Sequence, residues 1–130
     1  MGQYFKMVNL DKKEYLHPHK FGEGMKLFEF GCGGSGLMAG LNLLLSSGNG
    51  DESLEGRWAG DRIVCIGDYA EENRFVPGSL YSLATEESDT GWRDISFDVL
   101  RALCKHTWFK NEIMKRFERY KHLDRPSWLN

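Results

Sequence analysis

Nowhere in the 130 residues does an apolar run approach the roughly 18 residues that a membrane-crossing helix needs. The opening Met1-Gly2-Gln3-Tyr4-Phe5-Lys6 also lacks the charged-then-apolar layout of a secretory leader, so a cytoplasmic protein is expected. Cysteine is scarce. Cys32, Cys65 and Cys104 are odd in number and widely spaced, which leaves neither a C-x-x-C metal knuckle nor a paired disulfide framework. Cys65, inside Ile63-Val64-Cys65-Ile66, and Cys104, on a helical apolar stripe, are expected to pack as small hydrophobes, and Cys32 to sit in a turn. Positive charge is not in excess either: 17 Lys and Arg stand against 19 Asp and Glu, a net charge of −2 that disfavours a nucleic-acid partner. There is no internal repeat and no linker, so residues 1–130 read as one domain. The sequence has no G-x-S-x-G, no H-E-x-x-H and no recognisable Ser, His, Asp order, and the reading therefore leans away from an enzyme and requires no cofactor.

What the chain does contain is the composition of a folded domain, with 41% hydrophobic, 13% aromatic and 28% charged residues. Gln3 to Leu10 is aromatic, branched and too short for a helix, which predicts a first strand, and Asn9 to Lys13 predicts a turn. Glu14 to Gly24 reads as a tight loop in which Pro18 pushes His17 toward an extended backbone. Met25 to Phe30 alternates and is expected as a second strand, with a short helix as the other choice. Ser35 to Ser47 predicts a helix, apolar nearly all round, capped by Ser35 and stopped at Gly48-Asn49-Gly50. It is expected to be buried on both sides, with Gly36 and Gly40 admitting another backbone.

Asp61 to Asp68 is the clearest strand, and its continuous apolar run suggests a central place in the sheet. Asn73 to Thr90 does not decide between strand and helical turn. Ser96 is expected to cap a helix with Phe97, Leu100, Leu103 and Cys104 on its apolar stripe. A second helix from near Thr107 aligns Phe109, Ile113, Phe117 and Tyr120, with Pro126 as its stop. The fold expected is α+β: a small, mainly antiparallel sheet packed by one buried apolar helix and two C-terminal amphipathic helices.

Charge is unevenly distributed along the chain. Asp51 to Asp94 holds 11 acidic and 4 basic side chains, whereas Phe97 to Asn130 holds 8 basic and 4 acidic. Opposite-sign segments suit contact within the fold or across an oligomer, although a solvated helix face explains the basic end as well. Four tryptophans, Trp58, Trp92, Trp108 and Trp128, exceed what so small a core readily hides, which suggests a homodimer.

Chemistry concentrates in His17-Pro18-His19-Lys20-Phe21-Gly22-Glu23. An extended H-x-H sets both imidazoles on one side of the backbone, and Glu23 offers a third metal ligand. This H-x-H-x-x-x-E resembles the first metal motif of the cupins over that short stretch alone. The glycine such a motif expects downstream falls on Phe30, and no second motif supplies the later histidine. The bland reading is a loop whose histidines bond to backbone. Gly31-Cys32-Gly33-Gly34-Ser35-Gly36, ahead of a helix, resembles loops that cradle phosphate on backbone N–H groups, but it lacks the P-loop lysine. Asp61 and Arg62 at one end of the apolar strand, and Asp68 and Tyr69 at the other, are suited to a ribose, a phosphate or a stacked base, or else to a turn network closing the sheet edge.

The opening Met1-Gly2-Gln3-Tyr4-Phe5-Lys6-Met7-Val8-Asn9-Leu10-Asp11-Lys12, with His17-Pro18-His19-Lys20-Phe21-Gly22, Trp58-Ala59-Gly60-Asp61-Arg62-Ile63-Val64 and Gly67-Asp68-Tyr69-Ala70, resembles a family of small uncharacterised microbial and viral proteins. The resemblance covers the first half to two-thirds of the chain and implies one compact domain, with no activity to carry over. The functional expectation is a small cytosolic binding or interaction module. It would take an anionic, nucleotide-like small molecule or a protein partner at His17, His19, Asp61, Arg62, Asp68 and Tyr69, with Tyr69 or Trp58 stacking on a base. The alternative is a small metal-dependent or phosphoester-directed enzyme using His17 and His19, with Glu23 completing a metal site.

Overall fold

The period-two alternation of the first strand organises the molecule. In the computed structural model, which describes residues 3–31, 36–47, 53–69, 79–85 and 91–129, strand β1 runs Phe5–Asn9. It pairs antiparallel with β2 (Glu14–Leu16), Met7 opposite Leu16 and Val8 opposite Tyr15. On its other side it pairs antiparallel with β3 (Ile63–Gly67), Met7 opposite Cys65. A two-residue strand β4 (Arg93–Asp94) joins β2 in parallel, giving the order β3-β1-β2-β4. The sheet is thus mainly antiparallel. The expectation that β3 is central is corrected: it is the edge, and Ile63, Val64 and Cys65 are only half-buried, while β1 takes the middle. An apolar run measures stickiness, and an edge strand packed on both faces reads the same as a central one.

The turn between β1 and β2 is made by Asn9, whose Oδ1 accepts from the N–H groups of Asp11 (2.9 Å) and Lys12 (2.8 Å). After it, the segment expected to be a loop is largely ordered. Glu14–Leu16 is β2, and Pro18–Phe21 forms a single 3-10 turn with the proline at its start. His17 caps that turn in the extended conformation that the following proline imposes. Gly22 closes it at φ 73°, a left-handed backbone that a side chain resists.

The strand expected over Met25 to Phe30 is also corrected. Lys26 makes only an isolated bridge to Tyr4, and α1 spans Leu27–Gly31, with Phe30 buried and Leu27, Phe28 and Glu29 exposed. Alternation over six residues cannot separate a strand from one helical turn, and the Glu29 carboxylate, accepting from Lys26 N–H at 3.0 Å, favours the turn.

Helix α2 (Leu37–Leu45) buries Leu37, Gly40, Leu41 and Leu44, and it is one-sided rather than buried all round, since Leu45 is exposed. Gly40 lets α4 approach: a Cβ there would lie 2.8 Å from Val99 Cγ1. The Ser35 cap, the Gly48-Asn49-Gly50 stop and Cys32 lie outside the described residues. A short α3 (Leu80–Leu83) resolves part of the undecided segment as helix.

In α4 (Ser96–Leu103) Ser96 is the first helical residue and not the expected cap, a position that falls to Ile95. Asp94 Oδ1 accepts from Ser96 N–H at 2.8 Å, while the buried Ser96 Oγ accepts from His17 N–H at 2.7 Å. Helix α5 (Thr107–Arg119) buries Phe109, Ile113 and Phe117 as the spacing predicts. It ends well before Pro126 and leaves Tyr120 exposed. Among the described residues, no helix is long and apolar enough to cross a membrane.

The sheet therefore has two unlike faces. Met7 and Leu16 belong to the large core, with Phe21, Phe30, Leu37, Trp58, Leu100, Phe109 and Ile113. Val8 and Tyr15 belong to a small cluster with Ile66, Leu80, Ala84 and Trp92. Beside the larger core, Glu14 is buried and accepts from Trp58 Nε1 (2.9 Å), Arg57 Nη2 (2.6 Å) and Arg93 Nη2 (2.5 Å). Burial alone would raise its pKa, but these donors together hold the carboxyl below its ordinary value.

Candidate functional site

The pleat sets Lys6, Val8, Tyr15 and His17 on the thinner face of the sheet, because pairing of Val8 with Tyr15 fixes the phase of both strands. At the end of that face lies a cleft of about 470 Å³ lined by Lys6, Tyr15, His17, His19, Lys20, Thr85, Asp94, His122, Leu123 and Asp124. Lys6 is 8% exposed. Its Nζ donates to Ala84 O at 2.6 Å and Tyr81 O at 3.3 Å, and lies 4.2 Å from the Tyr81 ring centroid and 5.5 Å from that of Tyr15. Burial lowers its pKa, with Asp94 acting in the other direction. Burial, reinforced by Asp94, also raises the Tyr15 phenol, which stays protonated. Asp94 itself pairs with Lys20 at 2.7 Å.

His17 is held by its cap role: Nδ1 accepts from His19 N–H at 3.2 Å, and the two rings lie 5.2 Å apart. Burial, with the neighbouring His19 adding to it, pushes His17 down to about 4, so it is neutral at pH 7. His19 is also lowered, by burial and then by His122, which lines the same cleft.

His19, His122 and Leu123 are shared with a second cleft of about 680 Å³, which adds Tyr4, Gly22, Glu23, Gly24, Met25, Lys26, Glu29, Arg116, Arg119 and Tyr120. Glu23 is its buried acid. The carboxylate accepts from Leu37 N–H at 2.6 Å and pairs with Arg116 at 3.2 Å, yet burial outweighs both and pushes Glu23 up to about 7. Gly36, at φ 151°, has no room for a Cβ against this pair, so the entry to α2 is built around it.

Of the residues singled out from sequence, His17 and His19 do meet, on the shared clefts. Glu23 does not complete a triad with them, because its carboxylate is turned to α2 and Arg116. Among the described residues, no group of three His, Cys, Asp or Glu side chains is placed to hold a metal ion. Asp61 and Arg62 lie at the opposite end of β3, in the turn: Asp61 pairs with Lys12 at 2.5 Å and Arg62 with Asp11 at 2.9 Å. Asp68 lies at the histidine end, accepting from Tyr4 N–H at 3.1 Å, and Tyr69 beside it is exposed. Trp58 cannot stack on a base: its ring is fully buried and its N–H is taken by Glu14.

The glycine-rich segment keeps only Gly31 and Gly36 within view, since residues 32–35 lie outside the described ones. Cys65 and Cys104 are half-buried, with thiols raised by burial, Cys104 to about 11. Two of the tryptophans behind the dimer expectation, Trp58 and Trp92, are buried, and Trp108 is exposed. Reading the sequence missed Lys6, Tyr15, Asp94, Arg119 and His122. Only Lys6 had a local signal, a lysine amid the apolar residues of a strand.

Comparison with protein-family models, with curated protein sequences and with solved structures finds no match for this chain.

Proposed function

We propose that this chain is a small cytosolic binding module whose ligand is anionic and nucleotide-like, held in the larger cleft. The observation that carries this reading is the combination of Arg119, His19 and His122 with the exposed rings of Tyr4 and Tyr120 around one cavity. Arginine and imidazole donors suit a phosphate, and a tyrosine face suits a base at about 1–3 kcal/mol. The Asp51 to Asp94 segment argues against an anion only where its carboxylates reach the cavity, and Asp61 is tied up at the other end of β3. The metal-dependent alternative is weaker, because Glu23 is engaged elsewhere.

A thermal-shift screen of AMP, ADP, cyclic AMP and ADP-ribose tests the proposal. At least one should raise the melting temperature of the wild type and of Arg62→Ala, and the rise should be lost in Arg119→Ala. No stabilisation by any of them, or equal stabilisation of Arg119→Ala, overturns it.

A further inference from the structure

The smaller cleft holds a group that the nucleotide reading does not use. We propose that Lys6 is a covalent capture site for a small aldehyde or ketone, which enters the 470 Å³ cleft and condenses with Nζ to an imine. Nothing in this depends on what occupies the larger cleft.

Lys6 is buried on the thin face of the sheet, and its hydrogen bonds go to two carbonyl oxygens, Ala84 O and Tyr81 O, rather than to a carboxylate. A neutral amine has two N–H donors and one lone pair. Two carbonyl acceptors satisfy both N–H groups of the free base and leave the lone pair, whereas the third N–H of the ammonium meets the Tyr81 ring face, a weaker acceptor than water. The Tyr81 and Tyr15 rings flank Nζ and fix where it sits. Tyr15 and His17 line the same cleft, one a protonated phenol and the other a neutral imidazole.

These are the parts that imine formation uses. The lone pair attacks the carbonyl carbon, the C–N bond forms, and the C=O π electrons move to oxygen. That oxygen takes up a proton and nitrogen gives one up, which makes the carbinolamine. The C–O bond then breaks, the hydroxyl leaves with a proton as water, and nitrogen loses its second proton as C=N forms. Tyr15 can supply a proton to oxygen, and nitrogen gives its protons to water in the cleft. The condensation is redox-neutral and needs no co-reactant.

The test uses the whole native protein at pH 7 with propionaldehyde and sodium cyanoborohydride, which delivers hydride to the imine carbon and locks the adduct as a secondary amine. Digestion and mass spectrometry then give the rate at each lysine. An amine whose proton binding is weakened carries more free base at pH 7. Lys6 should therefore be modified faster than the exposed Lys115 and Lys121, and the advantage should vanish in urea. Modification of Lys6 at or below the rate of Lys115 in the folded protein, or an advantage that persists in urea, overturns the proposal.

Discussion

The two faces of the sheet are built to different ends. The Met7 and Leu16 face is closed by α2, α4 and α5 with large apolar side chains, and the Glu14 carboxylate buried beside it is paired by Arg57, Arg93 and Trp58. Among the described residues, the Val8 and Tyr15 face has six buried apolar side chains, a short helix over it, and a rim of Lys6, Tyr15, His17 and Asp94. Buried polar groups cost stability unless every partner is supplied, and folds concentrate that cost where they do chemistry. The thick face makes the domain stable, and that stability tolerates the polar rim of the thin one.

The largest effect expected from this contrast is on the thick face. Leu100 is fully buried in the main core, so Leu100→Ala should cost about 2–5 kcal/mol from lost burial and the cavity left behind. Urea unfolding measures it, and a loss below about 1 kcal/mol would mean that the main core does not dominate.

A smaller, pH-dependent effect belongs to the thin face. His17 titrates near 4 in the folded protein against 6.5 when unfolded. Its contribution is thus intact above pH 6.5 and is lost as pH falls toward 4, because the unfolded chain takes up the proton first. His17→Asn can still accept from His19 N–H without titrating. Relative to the wild type it should gain about 1–3 kcal/mol between pH 7 and pH 4.5. Glu23, raised to about 7, has the opposite sign: its contribution is present below 4.5 and lost as pH rises through 7. The difference between variant and wild type isolates His17, and parallel pH curves for the two proteins would remove it as a source.

The thick face was legible in the sequence and the thin one was not, for a physical reason. Helical spacing in Phe109, Ile113 and Phe117 reports a large apolar surface, and an aromatic, branched segment too short for a helix located β1. Strand β2 was hidden because Glu14, a residue type that normally marks a surface, is buried by partners 43 and 79 residues away. Alternation over Met25 to Phe30 imitated a strand where one helical turn forms. His17 and His19 stood out as a local motif, but the residues that make them a site, His122 and Arg119, come from the far end of the chain and carry no local mark. Asp61 and Arg62 looked equivalent to Asp68 and Tyr69 until the register set them at opposite ends of β3.

The smallest expected effect bears most directly on the division of labour between the faces. Lys6→Met keeps the length and shape of the side chain, removes a buried amine, and gives up its bonds to Ala84 O and Tyr81 O. If Lys6 is kept for its chemistry, relief of the buried amine offsets much of what the two lost bonds cost. Urea unfolding of Lys6→Met at pH 7, side by side with Leu100→Ala, is then predicted to show a smaller loss than Leu100→Ala, on the order of 1 kcal/mol. A loss as large as that of Leu100→Ala would contradict the account, making Lys6 a structural prop and the thin face a second stabilising core.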